Sequence, residues 1–173
     1  MLFGGHADYR AYECSLHPLF SASGSALQKR GAAARELVTR WLHEELHQQC
    51  LLARPAAVEE YLRLYFSDRE HESFVVLFLD AQNHLISVEE LFRGTLTQTA
   101  VYPREILKAA LRHNAASVIF AHNHPSGLAQ PSTADRRLTE TLQKALVLVD
   151  IKVLDHIIVA GRSALSFAER GWL

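Results

Sequence analysis

Residues 73–92, SFVVLFLDAQNHLISVEELF, predict the hairpin around which the rest of the chain folds. The run 73–80 is apolar and rich in β-branched and aromatic residues, which is typical of a buried strand. The letters DAQN predict a turn, and residues 84–92 predict the antiparallel partner of the first strand. A sheet that contains such a hairpin is at least partly antiparallel.

Helix and strand patterns alternate on both sides of the hairpin. Before it, apolar residues at helical spacing predict a helix over 32–49, and Pro55 begins a second helix through Tyr65. This mixture predicts an α/β sandwich rather than a doubly wound sheet. After the hairpin we expect a third strand at 95–101, helices at 103–113 and 133–148, and strands at 116–121, 152–160 and 164–167.

Length and composition indicate one ordinary globular domain with an extension before it. The 173 residues suit one domain, which we place at 55–173, after an N-terminal arm and helix over 1–54. Residues 1–30 read as irregular, and the letters SASGSA at 21–26 are typical of a linker or loosely held arm.

Composition and net charge limit the kinds of partner that we expect for this protein. No apolar stretch reaches the ~20 residues that span a bilayer, and the first residues lack the order of a secretory signal, so we expect a cytoplasmic protein without a membrane partner. A net charge of −1 and a pI near 6.8 predict no strong nucleic-acid footprint. Cys14 and Cys50 are the only cysteines and have no zinc-finger spacing. The sequence leaves homodimer formation as an alternative to a monomer.

The segment HNHPSGLAQPSTAD at 122–135 contains the candidate metal ligands. His122 and His124 are two residues apart at the end of a predicted strand, so both rings point the same way. Asp135 follows in the first turn of the next helix. Ser132 and Asp135 would also suit a capping box, but that leaves HNHP unexplained. Two imidazoles and one carboxylate suit a Zn²⁺ ion with an open fourth position, where the pKa of water falls to about 7.

The spacing H-x-H-x7-S-x2-D in this segment resembles the JAMM (MPN, or JAB) metalloprotease motif. The surrounding letters, GTLTQTAVYPREILKAALRHNAASVIFAHNHPSG and VLDHIIVAGRSALSFAERGWL, resemble the RadC family in particular, over about 56–173. The resemblance implies a mixed, largely antiparallel sheet sandwiched by helices, with an N-terminal helical extension. RadC proteins usually carry helix-hairpin-helix elements before this domain. Residues 1–55 contain no clear hairpin glycine motif, so we expect a short member that lacks them.

The resemblance also implies roles for single residues. It implies that His122, His124 and Asp135 hold zinc and that Ser132 supports the oxyanion of a scissile carbonyl. The function it implies is hydrolysis of peptide or isopeptide bonds in a peptide or protein substrate. A non-catalytic, metal-stabilised interaction module in DNA repair or phage-related processes is the alternative, and phosphodiester cleavage is a third reading.

A general base completes such a site. Family proteins place a glutamate at the start of a strand, just after a helix, and Glu72 occupies that place. Glu89 and Glu90 on the next strand are rivals. If strands 73–80 and 116–121 run antiparallel, Glu72 lies beside the strand end that carries His122. This arrangement favours Glu72 over Glu89 and Glu90 as the general base.

A second zinc motif competes with the first. His43 and His47 belong to a literal HExxH on a predicted helix, as in zincins. Steps of about 100° per residue place both histidines opposite the apolar side, so we interpret the motif as a solvent-exposed surface. That apolar side comprises Leu37, Val38, Trp41, Leu42 and Leu46.

His156 lies in the apolar strand VLDHIIV at 153–159. We predict a core histidine with a hydrogen-bonded partner, and support of the metal site from behind is the alternative.

Overall fold

A computed structural model describes residues 26–94 and 101–173, with side chains from residue 29 onward. Residues 39–173 form a compact unit that holds the sheet and every predicted site residue. The helices are α1 (Ala26–Gln48), α2 (Pro55–Phe66), α3 (Pro103–Arg112) and α4 (Thr133–Val147), with a 3₁₀ turn at Leu51–Ala53. The strands are β1 (Ser73–Leu79), β2 (Leu85–Arg93), β3 (Ser117–Asn123), β4 (Lys152–Ala160) and β5 (Ser163–Ser166).

The strands form one mixed sheet in the order β2-β1-β3-β4-β5. Only β3 and β4 pair in parallel, and α4 makes the connection between them. The other pairs are antiparallel, including β1 with β2 and β1 with β3. The predicted hairpin and the α/β class are therefore confirmed, and the antiparallel arrangement of β1 and β3 is the one that favours Glu72 as the base.

Helices cover both faces of the sheet, as the fold class predicts. Every residue of β1 is buried, because β1 lies between two strands with helices on either side. The side chains of β1 alternate between two apolar clusters. One cluster joins Val75, Leu77 and Leu79 to α2 and the end of α1, and the other joins Phe74, Val76 and Phe78 to α3 and α4.

Prolines set two helix starts, as predicted. Pro55 and Pro103 occupy first-turn positions of α2 and α3, where the missing N–H has no partner to lose. Within the described residues, none of the helices is long and apolar enough to cross a membrane.

The prediction for α1 was partly wrong. We expected irregular chain through residue 30, whereas the helix begins at Ala26 and contains Gly31. The flanking Ala, Leu, Gln, Lys and Arg residues are strong helix formers, so one internal glycine does not end the helix. The rest of the predicted arm, residues 1–25, and residues 95–100 of the predicted third strand lie outside the described residues.

Candidate metal centre

The two motif histidines lie where the central strand β3 ends. Phe74 of β1 pairs with His122, and the backbone N–H of His124 donates to Val159 O at 2.8 Å, which extends the pairing with β4. His122 and His124 share the face covered by α4, because they are two residues apart on one strand. His122 is 1% exposed, and its ring stacks on Phe74.

The loop after β3 turns back to bring Asp135 over the same face. Gly127 has φ of 81°, a left-handed conformation that disfavours residues with a side chain, and its N–H donates to His124 O at 3.1 Å. A capping box then begins α4. The hydroxyl of Ser132 accepts from Asp135 N at 3.1 Å, and Ser132 N donates to Asp135 Oδ2 at 2.7 Å.

The structure brings together the three predicted ligands. One donor atom from each of His122, His124 and Asp135 can be chosen so that all lie within 4.8 Å of one another. The Nε2 atoms of the histidines are 2.9 Å apart. Asp135 Oδ1 lies 3.4 Å from His122 Nε2, and Oδ2 lies 3.6 Å from His124 Nε2.

The hydrogen bonds of His124 fit a metal ligand. Its Nδ1 faces Leu128 O at 2.8 Å, and a carbonyl oxygen can only accept. Nδ1 therefore carries the proton, and a neutral ring turns the Nε2 lone pair toward the other two donors. Two imidazole nitrogens and one carboxylate are a donor set that suits zinc and leaves a position free.

Electrostatics keep two of the three donors, His122 and Asp135, in the protonation states that bind a metal. Burial lowers the pKa of His122 to about 4, although the Asp135 carboxylate opposes the shift. Partial burial alone would raise the pKa of Asp135, but hydrogen bonds from His124 and Ser132 and the charge of His122 outweigh it, so this pKa lies well below its usual range. Chiefly through its hydrogen bond to Asp135, the pKa of His124 is raised. At neutral pH the site thus offers an ionised carboxylate and an uncharged His122.

Ser132 lies beside the ligands, with its hydroxyl engaged in the cap. Besides accepting from Asp135 N, the Oγ donates its only proton to Asp135 Oδ2 at 2.7 Å. Its predicted role toward an oxyanion stays a prediction, and that role requires the hydroxyl to turn away from Asp135.

Glu72 lies level with His124. Phe74 pairs with His122, and the same antiparallel register carried two residues further places Glu72 opposite His124. The charge of Glu72 contributes to the raised pKa of His124, after the larger effect of Asp135.

Asn123, between the two histidines, fastens the backbone on either side of Glu72. Its Oδ1 accepts from Ser73 N at 2.8 Å, and its Nδ2 donates to His71 O at 2.9 Å. Asn123 is buried, so these hydrogen bonds are shielded from water. Sequence reasoning assigned no role to this residue, because its partners are about fifty positions away.

The rival glutamates lie elsewhere. Glu90 pairs with Val75 and so lies on the opposite face of the sheet, where it contacts Arg69 at 2.8 Å. Glu89 pairs with Val76, four residues and ~13 Å along β1 from Glu72 by the strand rise. The carboxylate of Glu89 is bound by Arg112 and His113 at the end of α3.

The prediction that the HExxH histidines face solvent holds for His47, which is exposed, but is wrong for His43, which is half-buried. His43 is partly buried against Tyr61, and His47 Nδ1 lies 2.6 Å from Leu85 O. Their Nε2 atoms are 3.0 Å apart. Trp41, which belongs to the apolar side of this helix, is 58% exposed. Burial, then the neighbouring His47, lowers the pKa of His43. Only His122, His124 and Asp135 form a cluster of three or more candidate ligands among the described residues.

His156 confirms the prediction of a core histidine with a hydrogen-bonded partner. It is fully buried, and its Nε2 lies 2.8 Å from His122 Nδ1. Its Nδ1 lies 2.6 Å from Oγ1 of Thr139, a residue that the sequence reasoning missed. The available signal was the spacing of four residues from Asp135, which places Thr139 on the same side of α4. Burial lowers the pKa of His156 well below its usual value.

A mixed sheet between helices, with H-x-H at a strand end and Asp at a helix start, defines a metal-dependent hydrolase fold of the JAMM type. Residues 52–172 match the family model described as "RadC-like JAB domain". The chain belongs to this RadC-like family.

Similar proteins carry the designation UPF0758. The one from Chromobacterium violaceum is 57% identical over 159 residues, which cover 90% of this chain and 71% of that protein. The one from Herminiimonas arsenicoxydans is 53% identical and covers 96% of this chain and 79% of its own. The one from Thiobacillus denitrificans is 62% identical over 82% of this chain and 63% of its own. These names specify no activity.

Proposed function

We propose that the protein is a zinc-dependent hydrolase of peptide or isopeptide bonds. The observation that carries the proposal is the cluster of donor atoms from His122, His124 and Asp135, with Glu72 near enough for its charge to raise the pKa of His124. In this proposal residues 55–173 form the hydrolase domain, and residues 1–54 are an extension.

The three ligands would hold the ion through two nitrogens and one oxygen. A zinc ion bound there supplies a Lewis acid that polarises a carbonyl and lowers the pKa of water. Three protein ligands leave one position for water or substrate, as catalytic zinc sites require, whereas structural sites are closed by four. The low pKa of Asp135 and the buried, uncharged His122 mean that few protons need to leave when the metal binds.

The base of the reaction is Glu72. A carboxylate level with His124 can take a proton from the attacking water and deliver it to the leaving amine. Asn123 limits the movement of this segment, because it binds the backbone immediately before and after Glu72. Proton transfer requires heavy atoms within hydrogen-bond reach, so a fixed backbone at Glu72 favours the reaction.

Ser132 completes the set as a donor to the developing oxyanion. In this role its hydroxyl turns from Asp135 Oδ2 toward the substrate, while Ser132 N continues to hold that carboxylate oxygen. A single oxyanion donor of this kind contributes roughly 10²–10³ to the rate.

The test compares four purified proteins without affinity tags that bind metal. These are the wild type, the double variant His122→Ala/His124→Ala, Glu72→Gln and the matched control Glu90→Gln, which changes a glutamate on the other face of the sheet. Zinc content is measured first. Each zinc-loaded protein is then incubated with a complex peptide mixture and with isopeptide-linked lysine substrates, and new amine ends are identified by mass spectrometry.

We expect about one zinc per chain in the wild type and both Glu variants, but none in the double variant. Cleavage should occur with the wild type and Glu90→Gln only. Full hydrolysis by Glu72→Gln would contradict the assignment of the base. Zinc binding without cleavage of either substrate class would contradict the hydrolase proposal and favour the metal-stabilised interaction module.

A further inference from the structure

A chain of three hydrogen bonds lies behind the candidate metal centre and connects two of its ligands. Thr139 Oγ1 is 2.7 Å from Asp135 O and 2.6 Å from His156 Nδ1. His156 Nε2 is 2.8 Å from His122 Nδ1. His156 and Thr139 are both buried, so water does not compete for these hydrogen bonds.

Counting protons along this series of hydrogen bonds gives the direction of each one. The backbone carbonyl of Asp135 can only accept, so the single hydroxyl proton of Thr139 is donated to it. Toward His156 the same hydroxyl can then only accept, and His156 Nδ1 must carry a proton. The rest of the His156 ring packs against Phe74, Phe120 and Phe167, an apolar surrounding that disfavours a charged imidazolium.

A neutral His156 protonated at Nδ1 has a lone pair at Nε2. It therefore accepts a proton from His122 Nδ1, and His122 Nε2 in turn has no proton. His124 Nδ1 likewise donates to a fixed acceptor, Leu128 O. The His122 Nε2 lone pair consequently faces His124 Nε2 across 2.9 Å, next to the Asp135 carboxylate.

We propose that Thr139 and His156 are positioning residues that fix His122 in the tautomer able to bind the metal. The inference rests on the metal centre of the proposed function, but it concerns the protein before metal is bound. Partners behind a metal-binding histidine orient the ring and set its tautomer, and losing them typically weakens metal binding by roughly 10- to 100-fold. An imidazole in this place adds no negative charge, whereas a carboxylate would offset part of the charge of the metal.

The experiment uses the full chain and has two readouts. In the metal-free wild type, long-range ¹H–¹⁵N correlation spectra of the histidine rings distinguish protonation at Nδ1 from protonation at Nε2. Zinc affinity at one fixed pH is measured by competition with a chromogenic chelator. The variant Thr139→Val removes the hydroxyl at nearly constant volume, and the control Thr139→Ser keeps it.

We expect His122 and His156 in the wild type to be protonated at Nδ1. Thr139→Val should give a mixture of His122 tautomers and roughly 10-fold weaker zinc binding, while Thr139→Ser keeps both wild-type properties. A His122 ring protonated at Nε2 in the wild type would overturn the inference without any variant. Unchanged zinc affinity in a folded Thr139→Val protein would overturn it as well.

These outcomes are separable from those of the proposed function. A wild type that binds zinc through Nδ1-protonated histidines but cleaves no substrate leaves the inference intact and refutes the hydrolase. A wild type in which His122 is protonated at Nε2 but which cleaves peptides overturns the inference and leaves the hydrolase proposal intact.

Discussion

Replacing Ser132 by alanine separates the two roles assigned to its hydroxyl. Ser132 caps α4, since Oγ accepts from Asp135 N at 3.1 Å, and it is also the proposed oxyanion donor. Loss of a serine N-cap costs about 1 kcal/mol, with a range of roughly 0.5–2. Because Leu142 and Leu146 of the same helix are fully buried, fraying at its start should lower the free energy of unfolding of the whole unit.

The matched variant is Ser132→Gly. Glycine at an N-cap costs only roughly a few tenths of a kcal/mol relative to serine, and it has no side chain that could donate to an oxyanion. We therefore expect the alanine variant alone to lose about 1 kcal/mol, or roughly 2–4 °C of melting temperature in a domain of this size. Both variants should lose roughly 10²–10³ in kcat if the hydroxyl stabilises the oxyanion.

Two measurements test the capping role and the oxyanion role of Ser132 separately. Urea unfolding in the presence of a chelator gives the stability of the metal-free protein, and hydrolysis by the zinc-loaded protein gives kcat. Wild-type kcat in Ser132→Gly would refute the oxyanion role. Wild-type stability in Ser132→Ala would refute the argument that the cap holds the start of α4.

Three further perturbations test other parts of the site. Asn123→Ala should lower kcat while zinc affinity stays constant, because it frees the backbone around Glu72; an equal loss in zinc affinity, measured by chelator competition, would contradict this. Zinc at about 100 times its Kd should stabilise the wild type by about 2.7 kcal/mol in thermal unfolding, and a His124→Ala variant that is stabilised equally would show that zinc binds elsewhere. Acid should destabilise the metal-free protein through His122 and His156, whose pKa values are lowered by burial. Their contribution to stability is complete above pH 6.5 and is lost as the pH falls, for His122 down to about 4. His124, with a raised pKa, acts in the opposite sense, so the readout is the slope of the unfolding free energy against pH, which should be shallower in His156→Gln than in the wild type.

Local signals in the sequence account for most of the fold. The hairpin, the prolines at helix starts and the buried strands depend on neighbouring residues, and the structure has each of them close to its predicted bounds. The apolar side of α1 shows where this reasoning fails. Periodicity states which side chains share a face, but not which of them another element covers: Leu42 and Leu46 are buried, whereas Trp41 is 58% exposed.

The candidate site likewise contains residues that local sequence signals predicted and contacts that they did not. The three ligands lie within fourteen consecutive residues, so their spacing alone indicated a metal centre. The supporting contacts are distant in sequence: Asn123 binds the backbone fifty residues before it, and His156 binds a ring thirty-four residues before it. Such contacts follow from the register of β1, β3 and β4, which a single sequence does not specify.

Because successive residues of a strand point to opposite faces, the HNH tripeptide at the end of β3 serves two unrelated tasks. The histidines present donor atoms on one side, and Asn123 between them fastens the Glu72 segment. Under the proposed function, point substitutions can therefore separate the tasks: a variant changed at position 123 or 72 keeps metal binding and the fold but no longer cleaves substrate. Insertion of one residue into β3 could not do so, since it would exchange the two faces at once.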